Sequence, residues 1–240
     1  MSTKWHHISK SLSRRTQRRG FTLVELMVAI VIVAALVALS FPIASRVKGS
    51  ARAAEGMSNV RQLGGAILMH ASDNHQKLIP LQPSVNSETG KRPPIWTVQL
   101  AREGYMWDGI GELPCGTGVW TCPASEFVSH AYGAYGVVED TIFVYEERTP
   151  VGVSEKGSLR LNRIHRPAST WLVGDAAAKA AQDPKVGWYA IWSQPSRWDT
   201  HGPAPRHRGK VNVCMVDGHV EALTVQEIEE RELTVNVVRR

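Results

Sequence analysis

The sequence predicts an α+β protein in which one long N-terminal helix packs on a head with an antiparallel β-sheet. Three observations carry this prediction: an apolar run over residues 21–44, an amphipathic repeat that continues to about Asp73, and short β-rich segments that end in a hairpin signal at 210–223. The 240 residues are 43% apolar and 21% charged, which is typical of a folded chain and excludes a disordered or collagen-like protein.

Residues 1–20 form a basic leader. They contain six Lys and Arg residues and no acid, whereas the whole chain has 28 basic and 22 acidic residues. Subtracting the leader leaves 28 − 6 = 22 basic residues against 22 acidic ones, so the remainder is neutral. A phosphate-binding surface needs basic residues on the folded part, and we therefore expect no nucleic-acid partner. By the positive-inside rule the leader is expected to stay in the cytoplasm.

The apolar run follows the leader directly. Glu25 is its one charge and Pro42 its one strong helix breaker. At about 1.5 Å per residue, residues 21–41 make a helix of roughly 30 Å, the thickness of a bilayer core. The run predicts a single transmembrane helix over residues 21–44, with the head on the side of the membrane opposite the leader. Pro42 removes one backbone hydrogen bond and allows a bend where the helix leaves the lipid.

A stem helix is predicted over residues 45–74. Its apolar positions recur at steps of three and four residues, the spacing of one helix face. These positions are Ala53, Met57, Val60, Gly64, Ile67 and Ala71. Such a face needs a cover, and the remaining residues 75–240 are expected to supply it as a compact head.

The head, residues 75–240, shows one helical segment and several strand segments. The helical segment spans residues 96–103, and Val, Ile, Tyr and Trp enrichment predicts strands in 141–146, 169–175 and 187–192. Alternating apolar residues on both sides of Asp217-Gly218 predict a hairpin over 210–223 with a type I′ turn. The segment 193–207, rich in Pro and polar residues, is expected to be an exposed loop.

The junction between leader and apolar run contains a charge that needs a partner. Glu25 would be costly inside a membrane, and the helix side chains offer nothing to pair with it. A cut between Gly20 and Phe21 would remove the six leader bases and create an amine at Phe21, four residues before Glu25. That amine could neutralise the carboxylate in its own helix or in a neighbouring one.

This junction, R-R-G-F-T-L-V-E, resembles the cleavage and methylation signature of type IV prepilins and type II secretion pseudopilins. The resemblance implies that prepilin peptidase cuts after Gly20 and methylates Phe21, and that Glu25 and Pro42 stand at positions the family uses for assembly. It also implies a pilin-like fold and a structural, non-enzymatic subunit. Its partners would be the peptidase, the inner membrane and other pilin or pseudopilin subunits in a periplasmic or surface filament.

A second resemblance lies in the head. His207 is followed by nine residues and then by Asp217-Gly218. Together with residues 120–123 and 162–176, this resembles the prepilin-type proteins that carry an H-x9-D-G segment. That group has no agreed activity, so the resemblance implies kinship and leaves the role of the segment open.

The histidines near the C-terminus raise the question of a metal or catalytic site. His201, His207, Asp217 and His219 are residue types that bind metals or transfer protons. No recognised catalytic motif accompanies them, and Asp217-Gly218 is explained by the turn. We therefore predict no catalytic residue, metal or cofactor, and expect His207 to anchor the hairpin. Cys115 and Cys122 could form a disulfide in an exported chain or be two ordinary thiols.

Two alternatives use the same N-terminal segment differently. Residues 38–40, Ala-Leu-Ser, resemble a signal-peptidase site, so a cut after Ser40 would release a secreted binding protein or hydrolase. In the second alternative the apolar run is an uncleaved anchor for a membrane-bound enzyme. The three hypotheses predict different mature N-termini, which are Phe21, Phe41 and Met1.

Overall fold

The structure is a computed structural model that describes residues 21–82, 95–106, 118–125, 133–139, 141–143, 148–149, 152–153, 159–178 and 185–235. The leader with Gly20 lies outside these ranges, and so does Cys115. Two compact units divide the chain, Met1–Arg46 and Val47–Arg240.

Helix α1 spans Leu23–Asp73, a length of 51 residues, and ends where the amphipathic repeat predicts. It passes position 42 without ending, so Pro42 does not break the helix. A capping box begins it: the Thr22 N–H and hydroxyl donate to Glu25 Oε2 at 2.9 and 2.8 Å, and the Glu25 N–H donates to Thr22 Oγ1 at 3.2 Å. The expectation that the side chains of the apolar run offer Glu25 no partner is therefore wrong, because Thr22 binds it.

The first part of α1 exposes its apolar side chains. Every residue from 21 to 39 is exposed, and these positions hold thirteen of the fifteen exposed large hydrophobic residues in the described chain. Within the described ranges, none of the helices combines the length and the apolar composition that a membrane-crossing segment needs.

The later part of α1 has a buried face, as the repeat predicts. Val60, Ile67 and Ala71 are completely buried, together with Leu63 on the same face. The polar residues of this face are buried too, since Asn59 and His70 are only 7% and 6% exposed. The stem therefore contributes both apolar and polar groups to the interior of the second unit.

Eight strands lie within the described residues: β1 Tyr135–Glu139, β2 Arg148–Thr149, β3 Gly152–Val153, β4 Trp171–Ala178, β5 Ala190–Trp192, β6 His201–Pro203, β7 Val211–Met215 and β8 Val220–Leu223. Six of them form one sheet in the order β5-β1-β4-β7-β8, with β6 also paired to β4. All these pairs are antiparallel except β1 with β5. Strands β2 and β3 form a separate antiparallel pair. The predicted α+β class is confirmed, with one parallel pair added.

Two short helices complete the described secondary structure of the head. Helix α2 spans Trp96–Arg102, as the helical segment at 96–103 predicts. Helix α3 spans Val225–Glu230 and begins with a second capping box, between Thr224 and Glu227. Single turns of 3₁₀ helix occur at Gly118–Trp120, Leu161–Arg163, Pro167–Ser169 and Pro195–Arg197.

The strand predictions at 169–175, 187–192 and 210–223 are confirmed by β4, β5 and the β7–β8 hairpin. The prediction at 141–146 is wrong for its described part, because Thr141 and Ile142 form a turn and Phe143 only an isolated bridge. Ile142 and Phe143 are fully buried, so their apolar character reflects burial and not strand pairing. The strand instead precedes them, as β1.

The hairpin turn differs from the predicted type I′. The Gly218 N–H donates to Met215 O at 2.9 Å, and the Met215 N–H donates to His219 O at 2.9 Å. These two bonds define a three-residue connection in which only the last residue, Gly218, has a positive φ, of 91°. Asp217 has no positive φ, which a type I′ turn would require. The expectation that Gly218 supplies the left-handed position is confirmed.

Candidate functional sites

The predicted processing segment begins the described chain. Phe21 is 84% exposed, and Thr22 caps α1 immediately after it. A cut before Phe21 would leave the capping box between Thr22 and Glu25 intact. The new amine would then lie one residue before the Thr22 N–H, which already donates to Glu25 Oε2.

The predicted head motif separates into two places. His207 is buried, and its Nε2 lies 3.4 Å from Asp175 Oδ2 and 3.4 Å from Cys122 Sγ. Asp217 lies instead at the hairpin turn, where its Oδ1 is 2.6 Å from His219 Nδ1. The backbone N–H groups of His207 and Lys210 each donate to the carbonyl oxygen of the other residue, just before β7.

The register of the sheet positions Asp175. Asp175 on β4 is in register with Tyr135 on β1, and its neighbour Gly174 is in register with Val213 on β7. This places Asp175 beside Asn212, whose N–H donates to Asp175 Oδ2 at 2.8 Å. A register shift between Trp171 and Val173 precedes this row of residues. Asp175 is completely buried.

A buried arginine faces the other oxygen of the same carboxylate. Arg206 Nη1 lies 3.8 Å from Asp175 Oδ1, and the two side chains are only 1% and 0% exposed. The guanidinium also donates to the carbonyl oxygens of Ala134 at 3.0 Å and Ala176 at 2.7 Å. The carboxylate is therefore held between a cation on one side and His207 with the Asn212 N–H on the other.

Helix α1 packs against this cluster at a glycine, Gly56. A Cβ at Gly56 would lie 2.9 Å from His207 Nε2 and 3.1 Å from Asn212 Nδ2, closer than real Cβ contacts. Gly56 therefore allows α1 to approach the imidazole. Two turns later, a Cβ at Gly64 would overlap Cys214 Sγ on β7.

Burial disfavours the ionised forms of Cys122 and Tyr135. It raises the pKa of the Cys122 thiol to about 12, and the negative charge of Asp175 acts in the same direction. Burial also raises the pKa of Tyr135 well above its ordinary value, again with a contribution from Asp175. Cys122 is a free thiol beside His207. Cys115 lies outside the described residues, so the possible disulfide between Cys115 and Cys122 remains a prediction.

Cys122, Asp175 and His207 are the one group of metal-ligand residue types that the described chain brings together, with potential ligand atoms all within 4.8 Å of one another. The same residue types could also suggest a thiol hydrolase. A nucleophilic cysteine, however, must be reached by substrate and must ionise. Cys122 is completely buried and its pKa is raised to about 12, so this arrangement does not support nucleophilic catalysis.

The other histidines lie elsewhere. His219 Nε2 contacts Glu221 Oε1 at 2.8 Å, and Arg231 binds both oxygens of Glu221 at 2.8 and 3.0 Å. Arg231, with a smaller contribution from His219, lowers the pKa of Glu221 to about 2, and the bond to Glu221 raises the pKa of His219. His201 stacks on Trp188 at 4.7 Å between ring centroids. The four residues considered together in the sequence are thus in three separate environments.

Three members of the buried cluster were not predicted as site residues: Asp175, Arg206 and Asn212. Arg206 and His207 end the segment 193–207, which was expected to be an exposed loop; instead it contains strand β6, and its residues 202–204 are buried. A signal was present, because Cys122 and Asp175 lie in the two segments, 120–123 and 162–176, that accompany His207 in the second resemblance.

Comparison with known families supports the N-terminal interpretation. The family model of the prokaryotic N-terminal methylation motif matches residues 15–41. This match supports the resemblance of the N-terminal segment to type IV prepilins and pseudopilins. Searches of the curated proteins and of the solved structures returned no match. The H-x9-D-G resemblance of His207, Asp217 and Gly218 remains a prediction.

Proposed function

We propose that this protein is a filament subunit that prepilin peptidase cuts between Gly20 and Phe21 and methylates at Phe21. The mature chain then assembles through residues 21–44 with other subunits into a type IV pilus or a type II secretion pseudopilus. The match of the methylation motif to residues 15–41 is the observation that carries this proposal.

The exposed apolar surface of α1 supports assembly. Each large hydrophobic residue between positions 21 and 39 exposes at least 51% of its surface. Removing apolar surface from water yields roughly 25 cal/mol per Å², so a continuous apolar helix face favours association. We propose that lipid covers residues 21–44 before processing and that neighbouring subunits cover them in the filament. The support for the membrane step is the motif and the sequence of the run, since the described helices alone do not meet the requirements of a membrane span.

Glu25 is proposed to act twice. Within one chain it closes the capping box with Thr22. In the filament its carboxylate would pair with the Phe21 amine of the same or a neighbouring subunit. The two roles can be separated, because glutamine also closes a capping box but carries no charge.

Cleavage is tested with the full chain in membranes that contain prepilin peptidase. Gly20→Val should leave the chain at its unprocessed length, while wild type becomes shorter by the leader. Gly65→Val is the matched control, because Gly65 is exposed and a Cβ there meets nothing within 4 Å. Normal processing of Gly20→Val would contradict the proposal.

Assembly is tested with Glu25→Gln and Glu25→Val, using filament yield as the measurement. If the charge matters, both variants should be cleaved normally and both should lose most of their filaments. Glu55→Gln, an exposed residue of the same helix, is the control and should assemble like wild type. If Glu25→Gln assembled normally and only Glu25→Val lost its filaments, the capping role of Glu25 would be supported. The proposed pairing with the Phe21 amine would then be contradicted.

A further inference from the structure

We propose that Cys122, Asp175 and His207 form a binding site for one divalent cation of the zinc class. This site lies in the head and is independent of the processing segment. Its residues come from the loop after a 3₁₀ turn, from strand β4 and from the turn before β7, and Cys122 and His207 are 85 positions apart in sequence.

The distances fit tetrahedral coordination. Zinc binds sulfur at about 2.3 Å and nitrogen or oxygen at about 2.0–2.2 Å, which separates neighbouring ligands by roughly 3.3–3.6 Å. His207 Nε2 lies 3.4 Å from Cys122 Sγ and 3.4 Å from Asp175 Oδ2. Two edges of the tetrahedron are therefore already present, and all three ligand atoms lie within 4.8 Å of one another.

A buried polar atom without a hydrogen-bond partner supplies an independent argument. Asn212 Nδ2 is buried and lacks such a partner within the described chain. A buried unsatisfied polar group costs about 1–3 kcal/mol, so most native ones are explained by a bound water or ion. Asn212 Nδ2 and His207 Nε2 both lie about 3 Å from the Cβ position of Gly56, so the amide is at the proposed site, where its N–H would donate to the water or hydroxide bound to the cation.

The ligand types select the cation. A thiolate, an imidazole and a carboxylate suit zinc and its neighbours, whereas magnesium and calcium prefer oxygen ligands alone. When the cation binds, the Cys122 thiol would release its proton, so that Cys122 and Asp175 together would offer two negative charges to the dication. Arg206 lies at Asp175 Oδ1, 3.8 Å away, while His207 lies at Oδ2, so a cation between His207 and Cys122 would not displace the guanidinium. A water or hydroxide would complete the fourth position.

The experiment uses the full chain, purified in detergent without a polyhistidine tag, stripped with a chelator and titrated with Co²⁺. We expect a thiolate-to-cobalt charge-transfer band that saturates at about one Co²⁺ per chain and disappears when Zn²⁺ is added. Cys122→Ser should abolish the band, and Cys214→Ser should keep it, because Cys214 is the other buried free thiol of the described chain. Absence of the band in folded wild type, or its survival in Cys122→Ser, would overturn the proposal.

Two further measurements test the cation site even if Cys122→Ser does not fold. Gly56→Ala should weaken Co²⁺ binding at least tenfold by displacing His207, whereas Gly65→Ala should not change it. In wild type, Zn²⁺ should slow alkylation of Cys122 in mild denaturant more than it slows alkylation of Cys214. Equal affinities of the two glycine variants, or equal alkylation with and without Zn²⁺, would contradict the site.

Discussion

The two parts of helix α1 meet different surroundings. In residues 21–39 every side chain is exposed and Glu25 is the one charge, whereas residues 47–73 alternate between exposed and buried positions. The first part is distinguished by its composition, which suits an environment that is apolar on all sides. The second is distinguished by its periodicity, which suits one covered face. One continuous helix can thus serve assembly at one end and the head at the other.

The largest expected effect is on the buried cluster beside the second part of α1. Asp175→Ala leaves Arg206 buried without its carboxylate and removes the acceptor of the Asn212 N–H. Breaking a buried ion pair in this way costs about 3–5 kcal/mol. Denaturant unfolding followed by near-ultraviolet circular dichroism should show this loss.

Asp199→Ala, at an exposed position, is the control and should change the free energy of unfolding little. An equally stable Asp175→Ala variant would mean that the cluster does not hold the head together.

Two adjacent glycines distinguish the buried face of α1 from its exposed face. Gly64 faces the sheet, and a Cβ there would overlap Cys214 Sγ, whereas a Cβ at Gly65 meets nothing within 4 Å. We expect Gly64→Ala to destabilise the head by about 1–3 kcal/mol through overpacking, and Gly65→Ala to stabilise it by roughly 0.5–1 kcal/mol through helix propensity. The midpoints of denaturant unfolding measure both. Shifts of the same sign would refute the assigned helix face.

The two capping boxes allow a smaller test. The Thr22–Glu25 box begins an exposed helix segment, whereas the Thr224–Glu227 box begins α3, whose Ile228 is completely buried. Thr224→Ala should reduce the free energy of unfolding of the head by about 1 kcal/mol. Thr22→Ala should leave it unchanged, because the residues around it are exposed. A similar loss from both variants would mean that the first part of α1 contributes to head stability.

The smallest effect is a pH dependence from His70 on the buried face of α1. Burial lowers the pKa of His70 below its ordinary value of 6.5, even though Glu103 and Asp73 act in the opposite direction and Glu103 Oε2 lies 3.2 Å away. The unfolded chain therefore takes up this proton first as the pH falls. The stabilisation that the folded chain gains from neutral His70 is fully present above about pH 6.5. It is lost as the pH falls through the lowered pKa that His70 has in the folded chain.

His70→Asn should flatten this acid slope in unfolding experiments between pH 7 and pH 5. His75→Asn, in the exposed turn after the same helix, should keep the wild-type slope. An identical slope in wild type and His70→Asn would show that His70 does not cause the loss of stability in acid.

The helix and the hairpin could be predicted because their signals are local. The apolar spacing from Ala53 to Ala71 and the alternation around Asp217-Gly218 lie within short stretches of chain. The buried cluster could not be predicted in the same way, because it depends on strand register: Asp175 meets Asn212 only through the pairing of β4 with β7. The turn correctly predicted the backbone conformation of Gly218. It gave no information about the side-chain partners of His207, because these partners are distant in sequence.

The mass of the mature N-terminal peptide, from protein isolated from its own cells, tests the central claim most directly. The account predicts a peptide that begins at Phe21 and carries one additional methyl group on its amine. A peptide that begins at Met1 would indicate an uncleaved anchor, and one that begins at Phe41 would indicate a secreted protein. Either of those two results would contradict the account.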